Sequence, residues 1–278
     1  MDEQFVDMRV RVGPITFPTP VLVASGTFGF GEEYARFMDL RRLGGIITKG
    51  VTLRPRTGNA GPRVYETAAG MLNAIGLENP GVDVVVQEKL PRLAALGIPV
   101  IVNVAGETEE EYVEVAKRLC AAHGLTAIEL NVSCPNVKRG GLEFGRDTQT
   151  IGRLVSAVKE ATDLPLIVKL SPNVGDLRPL AEAALGAGAA AISLVNTFLA
   201  LAIDVRRRRP RLGSITGGLS GPAIKPIALR MVWELWRDLR PPIIGMGGIM
   251  TGEDAAEFML AGAAAVAVGT ATFVDPMA

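Results

Sequence analysis

The chain has 278 residues, 29 basic and 29 acidic side chains, one histidine, two cysteines and 48% hydrophobic residues. Zero net charge argues against a general nucleic-acid binder, which carries a basic excess, and two cysteines exclude both a disulfide framework and a four-thiolate iron–sulfur cluster held by this chain alone. The length suits one large core or two small ones, and the sparse cysteine suits a reducing, cytoplasmic compartment.

The first ten residues, "MDEQFVDMRV", are acidic and lack the apolar run of a signal peptide. The following "MRVRVGPITFPTP" reads as a small hairpin turning at Gly13-Pro14, placed to close the bottom of whatever follows. Eight short apolar runs then recur: "VLVA" at 21–24, "GIITK" at 45–49, "PVIVNV" at 99–104, "AIELN" at 127–131, "PLIVKL" at 165–170, "AAISLVN" at 190–196, "PIIGMGG" at 242–248 and "AAVAVGT" at 264–270. They are almost continuously apolar, as strands buried on both faces must be. Helical patterns lie between them. "TEEEYVEVAKRLCAAHG" has Thr108 as N-cap, acids in its first turn and Gly124 as its stop; "TGEDAAEFMLAGA" has Thr251 and Gly262 in the same places. Residues 183–203 carry no charge over about twenty positions, the length of a membrane span. Gly186 and Gly188, with Ser193, Asn196 and Thr197, divide that stretch into a helix end, a turn and a buried strand instead.

Eight alternations predict a parallel (β/α)8 TIM barrel, with residues 1–278 as a single domain; a doubly wound open sheet is the rival. A helix should follow the last strand, but the chain stops at "FVDPMA", so the final barrel helix is expected to be missing. Three loops, 50–82, 132–147 and 199–222, read as long and structureless, and such loops are usually functional.

Active sites of barrels lie at the C-terminal ends of the strands. Here those ends carry Ser25, Lys49, Asn103, Asn131, Lys169 and Asn196 with Thr197, then Gly247-Gly248 and Gly269-Thr270. A single such residue is explained as a turn or cap. Six apolar strands that end in polar or charged residues are not what packing alone requires, and lysine is seldom buried unpaired. Glycines after the seventh and eighth strands let backbone N–H groups approach a phosphate, and the helix opening at "TGEDAAEF" offers its N-terminus nearby. The two lysines suit a ring that gains negative charge, and Asn73, Asn131, Asn136 and Asn196 suit a flat ligand edged with donors and acceptors. A phosphorylated redox ring such as FMN, beside a small heterocycle, uses all of these groups.

Cys134 opens the loop after the fourth strand, in "NVSCPNVKRGG". A buried, inert thiol is one reading. The other is a general base, since Lys138 and Arg139 favour the thiolate that accepts a proton. Cys120 reads as structural, and His123 as a cation at the C-terminus of its helix. The run Arg206, Arg207, Arg208, Arg209 reads as a solvated loop face, with anion attraction or docking as the alternative.

The segments "ASGTFGFGEEY", "TKGVTLRPRTGN", "GMLNAIGLENPG", "NVSCPNVKRGG", "VKLSPNV", "TGGLSGPAIKP", "GMGGIMTGEDAAEFMLAGA" and "VGTATFVDP" together resemble the class 1B dihydroorotate dehydrogenases over nearly the whole chain. The resemblance implies FMN over the barrel mouth, contacted at Ser25, Lys49, Gly50, Asn103, Asn131, Lys169, Val195, Gly221, Gly247, Gly248, Gly269 and Thr270. It implies dihydroorotate held by Lys49, Asn73, Ala74, Ile75, Gly76, Leu77, Asn131, Asn136, Asn196 and Thr197. Cys134 is then the base that removes the C5 proton, Lys169 stabilises reduced flavin, and orotate is the product, a step of pyrimidine synthesis. The same resemblance implies a cytoplasmic homodimer joined to a partner subunit that carries FAD and a 2Fe–2S cluster and delivers electrons to NAD+. The glycine run "GTFGFGEEY" lacks the G-x-G-x-x-G order of a dinucleotide site, in keeping with that division. The alternatives are the same oxidation with fumarate or a quinone as acceptor, an FMN-dependent dihydrouridine or dihydropyrimidine reductase, and a non-catalytic phosphate-ligand barrel.

Overall fold

The computed structural model describes residues 6–133 and 145–278. Its barrel strands are β1 (Val21–Val23), β2 (Gly45–Ile47), β3 (Val100–Val104), β4 (Ala127–Asn131), β5 (Leu166–Lys169), β6 (Ala191–Leu194), β7 (Ile243–Met246) and β8 (Ala265–Val268). All eight coincide with the apolar runs, and all pair in parallel in chain order. The ring closes where Val266 and Val268 of β8 meet Val21 and Val23 of β1. Closure excludes the open-sheet alternative.

Proline starts half of these strands. Pro20, Pro99, Pro165 and Pro242 stand immediately before β1, β3, β5 and β7, where their fixed φ suits an extended entry and no N–H is missed. Their carbonyls are used. Val266, Ile46, Ile128 and Ile192 donate to them from the neighbouring strands at 2.8–3.0 Å.

The alternation of side chains divides the core in two. Outward residues of the strands pack under the helices. Inward residues, among them Leu22, Ile47, Ile101, Ala127, Ile167, Ala191, Ile244 and Ala265, fill the barrel together with Val12, Ile15 and Phe17. Those last three come from the N-terminal hairpin Val10–Val12 and Ile15–Phe17, which turns at Gly13 and plugs the bottom as its sequence suggests.

The outer helices carry their expected caps. Thr108 accepts from Glu111 N at the head of Glu109–Cys120, and Asp147 accepts from Thr150 N before Thr148–Ala161. Stretch 183–203 is the end of helix Arg178–Gly186, a turn through Gly188 and strand β6. No described helix is long and apolar enough to cross a membrane.

Only a single turn of helix, Ala271–Val274, follows β8. One expectation changes: the loops at 50–82 and 199–222 are not structureless. They supply Val64–Thr67, Gly70–Asn73, Phe198–Leu201 and Thr216–Ser220, which pair into one antiparallel four-stranded sheet. Each loop forms a hairpin of its own, and pairing across 145 residues between Asn73 and Gly218 joins the two into one sheet. Periodicity within either segment could not reveal a partner so distant in sequence.

Candidate active site

The inward-facing positions change character along the barrel axis. At the bottom they are aliphatic. One step further on they are Asn103 on β3, Glu129 on β4, Lys169 on β5 and Ser193 on β6. Glu129 is completely buried among them. Its Oε2 accepts from Asn103 Nδ2 at 2.6 Å and its Oε1 from Ser193 Oγ at 2.7 Å. Lys169 Nζ lies 4.0 Å from the same Oε2 and donates to Ser25 Oγ at 3.0 Å. A buried lysine is thereby given both a counter-charge and a hydrogen bond. The sequence reading named Asn103, Lys169 and Ser25 but missed Glu129. Its signal was present: a lone charge inside the apolar run "AIELN".

Above this layer opens a cavity of about 1130 Å³. Ser25, Lys49, Gly50, Asn103, Asn131, Lys169, Val195, Gly221, Gly247, Gly248, Gly269 and Thr270 all line it, as do Asn73, Ala74, Ile75, Gly76, Leu77, Asn196 and Thr197. Residues more than 200 positions apart converge because every strand ends on the same rim. Cys134 and Asn136 lie outside the described residues.

The rim is held from behind. Tyr112, buried on helix Glu109–Cys120, donates to Asn131 O at 2.7 Å and anchors the end of β4. Asn131 Oδ1 accepts from Ser133 N at 3.2 Å and Asn196 Nδ2 at 3.3 Å. Asn173, which the sequence reading did not name, donates to Thr197 O and accepts from Leu199 N, tying β5's loop to the cap sheet.

One wall of the cavity is that antiparallel sheet and the segment after it. Asn73 belongs to this wall rather than to the floor, and donates to Gly218 O at 3.3 Å. Buried Asn79 fixes the chain beyond Leu77, accepting from Thr52 N and Gly81 N and donating to Thr52 Oγ1 and Leu77 O. Glu78 pairs with Arg63 at 2.5 Å; that guanidinium first, and the Lys49 ammonium further off, hold its carboxyl below the ordinary carboxylate range. Lys49 thus faces the cavity half-buried, near the Arg63–Glu78 pair.

At the opposite side Gly221, Gly247 and Gly248 all have positive φ. A Cβ on Gly248 would stand 2.8 Å from both Gly221 O and Lys225 N, so only glycine keeps this hollow open. Thr270 Oγ1 donates to Ser220 Oγ at 2.7 Å beside it. The helix Gly252–Leu260 opens on a capping box: Thr251 Oγ1 accepts from Asp254 N, and Asp254 accepts from Met250 N and Thr251 N and from Lys225 Nζ at 2.6 Å. No residue of that helix lines the cavity.

Other expectations are settled away from the site. Cys120 is exposed at a helix end, so it is not a core thiol. His123 lies beyond the helix, which stops at Cys120, and is exposed. Arg206, Arg207, Arg208 and Arg209 are exposed on a two-stranded ribbon, Ile203–Asp204 with Arg209–Pro210; buried Asp204 accepts from the N–H groups of Arg206 and Arg207 and pairs with Arg211.

Buried polar side-chain atoms nearly always find partners. Among the described residues, Thr27 Oγ1, Asn103 Oδ1 and Ser133 Oγ have none, and all three residues line this cavity. Such a set awaits a ligand with its own donors and acceptors. With two ammonium groups, several amides and a glycine hollow, the donor set fits a phosphorylated heteroaromatic cofactor and a small anion beside it.

A family model described as dihydroorotate dehydrogenase matches residues 8–278. Proteins named "Dihydroorotate dehydrogenase B (NAD(+)), catalytic subunit" from Desulforudis audaxviator, Geotalea uraniireducens and Geobacter sulfurreducens are 56%, 55% and 56% identical. Those alignments cover 98%, 98% and 97% of this chain and 88%, 89% and 88% of theirs. The crystal structure of a DHODH from Eimeria tenella in complex with ferulenol superposes with a TM-score of 0.79 at 25% identity, covering 98% of this chain and 81% of that one.

Proposed function

The chain belongs to the dihydroorotate dehydrogenase family, and from that premise we propose that it is an FMN-dependent catalytic subunit that oxidises (S)-dihydroorotate to orotate in pyrimidine synthesis. The observation that carries the reading is the convergence of Lys49, Lys169, Asn131 and Asn196 on one cavity that also contains a glycine hollow. Gly221, Gly247, Gly248, Gly269 and Thr270 hold the phosphate of FMN. Ser25, Lys49, Gly50, Asn103, Asn131, Lys169 and Val195 surround its ring. What FMN supplies when bound is a two-electron acceptor next to the substrate. The substrate carboxylate and amide edge are held by Lys49, Asn73, Ala74, Ile75, Gly76, Leu77, Asn131, Asn136, Asn196 and Thr197. Cys134, as thiolate, takes the proton from C5 of dihydroorotate, and the released electron pair becomes the second bond between C5 and C6 as C6 gives up its hydride, which bound FMN would accept. Electrons leave for NAD+ through a partner subunit with FAD and a 2Fe–2S cluster, a division for which the relatives' name "catalytic subunit" and the shortage of cysteines both speak. The working assembly is a homodimer carrying two such partners, in the cytoplasm.

Purified protein should be yellow, and anaerobic dihydroorotate should bleach its flavin. Flavin that stays oxidised with dihydroorotate but bleaches with another dihydropyrimidine would overturn the substrate. Cys134→Ala should retain FMN and lose roughly 10²–10⁴-fold in the rate of bleaching. Transfer to NAD+ should appear only when an iron–sulfur flavoprotein partner is added.

A further inference from the structure

We infer that Glu129 is a positioning residue that sets the charge and the hydrogen-bonding polarity of the cavity floor. An ionised carboxylate can only accept. Asn103 must therefore turn its Nδ2 toward Glu129, 2.6 Å away, and this leaves Oδ1, buried and unpartnered beside Gly50, as the free acceptor of a residue that lines the cavity. The asparagine is in effect locked as an acceptor for whatever lies above it. Ser193 is locked likewise, its hydroxyl donating downward at 2.7 Å. The same carboxylate is the only described acidic group paired with Lys169, at 4.0 Å, and both side chains are almost wholly removed from solvent. In so dry a setting one charge strongly biases its neighbour. Glu129 touches no ligand; it does not line the cavity.

This inference rests on the FMN reading above. Glu129→Gln keeps the shape, removes the negative charge beneath Lys169 and lets Asn103 turn its NH2 to the cavity. Reduced FMN, richer in electrons than oxidised FMN, should gain relative to it. The ratio of the two dissociation constants should shift at least tenfold, which raises the midpoint potential by about 30 mV for a two-electron couple. Glu129→Asp keeps the charge but shortens the reach by a methylene. It should leave the potential near that of the parent while weakening FMN binding at least tenfold. Ser193→Ala removes a hydrogen bond and no charge, and should move neither quantity more than threefold. Dye-equilibrated potentiometry and fluorescence titration with FMN read both. A parent protein that binds no FMN sinks the functional reading. A parent that binds FMN, with Glu129→Gln at an unshifted potential, overturns the role of Glu129 alone. Should Glu129→Gln not fold, Glu129→Asp decides: FMN affinity equal to the parent's overturns the inference.

Discussion

Single residues in this chain are most informative where charge interrupts apolarity. Lys49 and Lys169 stand out in the sequence because each ends an apolar strand, and both reach the cavity. Glu129 interrupts a strand in the same way but two positions before its end at Asn131, and a search confined to strand ends passes over it. Asp254, on the helix whose N-terminus was expected near the phosphate, makes structural contacts instead. The Lys225 ammonium chiefly, helped by the N–H groups of Met250 and Thr251, lowers its pKa from 3.8 to about 2. A folded-state pKa below the unfolded value stabilises the protein above the unfolded pKa, and that stabilisation fades as pH falls toward the folded one. Asp254→Asn should therefore cost about 1 kcal/mol at neutral pH, and the difference from the parent should shrink as pH drops from 3.8 toward about 2. Urea unfolding at several pH values checks this, and FMN binding should be unaffected.

At the scale of elements, the barrel strands were legible because each is defined by its own residues: a proline entry, an apolar run, a polar end. The cap sheet was not, because its strands are defined by each other. Tyr65 pairs with Leu72 inside a local hairpin, but Leu72 also pairs with Leu219, a contact that no local pattern encodes. The segment between Val51 and Val82 depends on Asn79, which is buried and makes four hydrogen bonds within it. Asn79→Ala should destabilise by about 1–3 kcal/mol, since it strands buried partners such as Thr52 N. The loss should be local. Hydrogen exchange over residues 52–81 should accelerate while amides of the barrel strands keep their protection.

For the whole molecule, plug, barrel and cavity share one interior. Phe17 of the hairpin is fully buried against the same inward cluster whose upper members become Asn103, Glu129 and Lys169. Phe17→Ala should cost about 3–5 kcal/mol. Bound flavin absorbance and far-ultraviolet circular dichroism should be lost in a single coincident urea transition. The amino-acid order by itself determined the eight-fold alternation, the plug, the helix caps and the identities of the polar strand ends, because each is written in short-range pattern and propensity. Which groups meet was decided only by the tertiary structure: the joining of the two cap hairpins through Asn73 and Gly218, the pairing of Lys225 with Asp254, and the Glu129 network under the cavity. Closing the ring brings strands into register across more than a hundred residues, and contact energies between such distant groups leave no periodic trace along the chain.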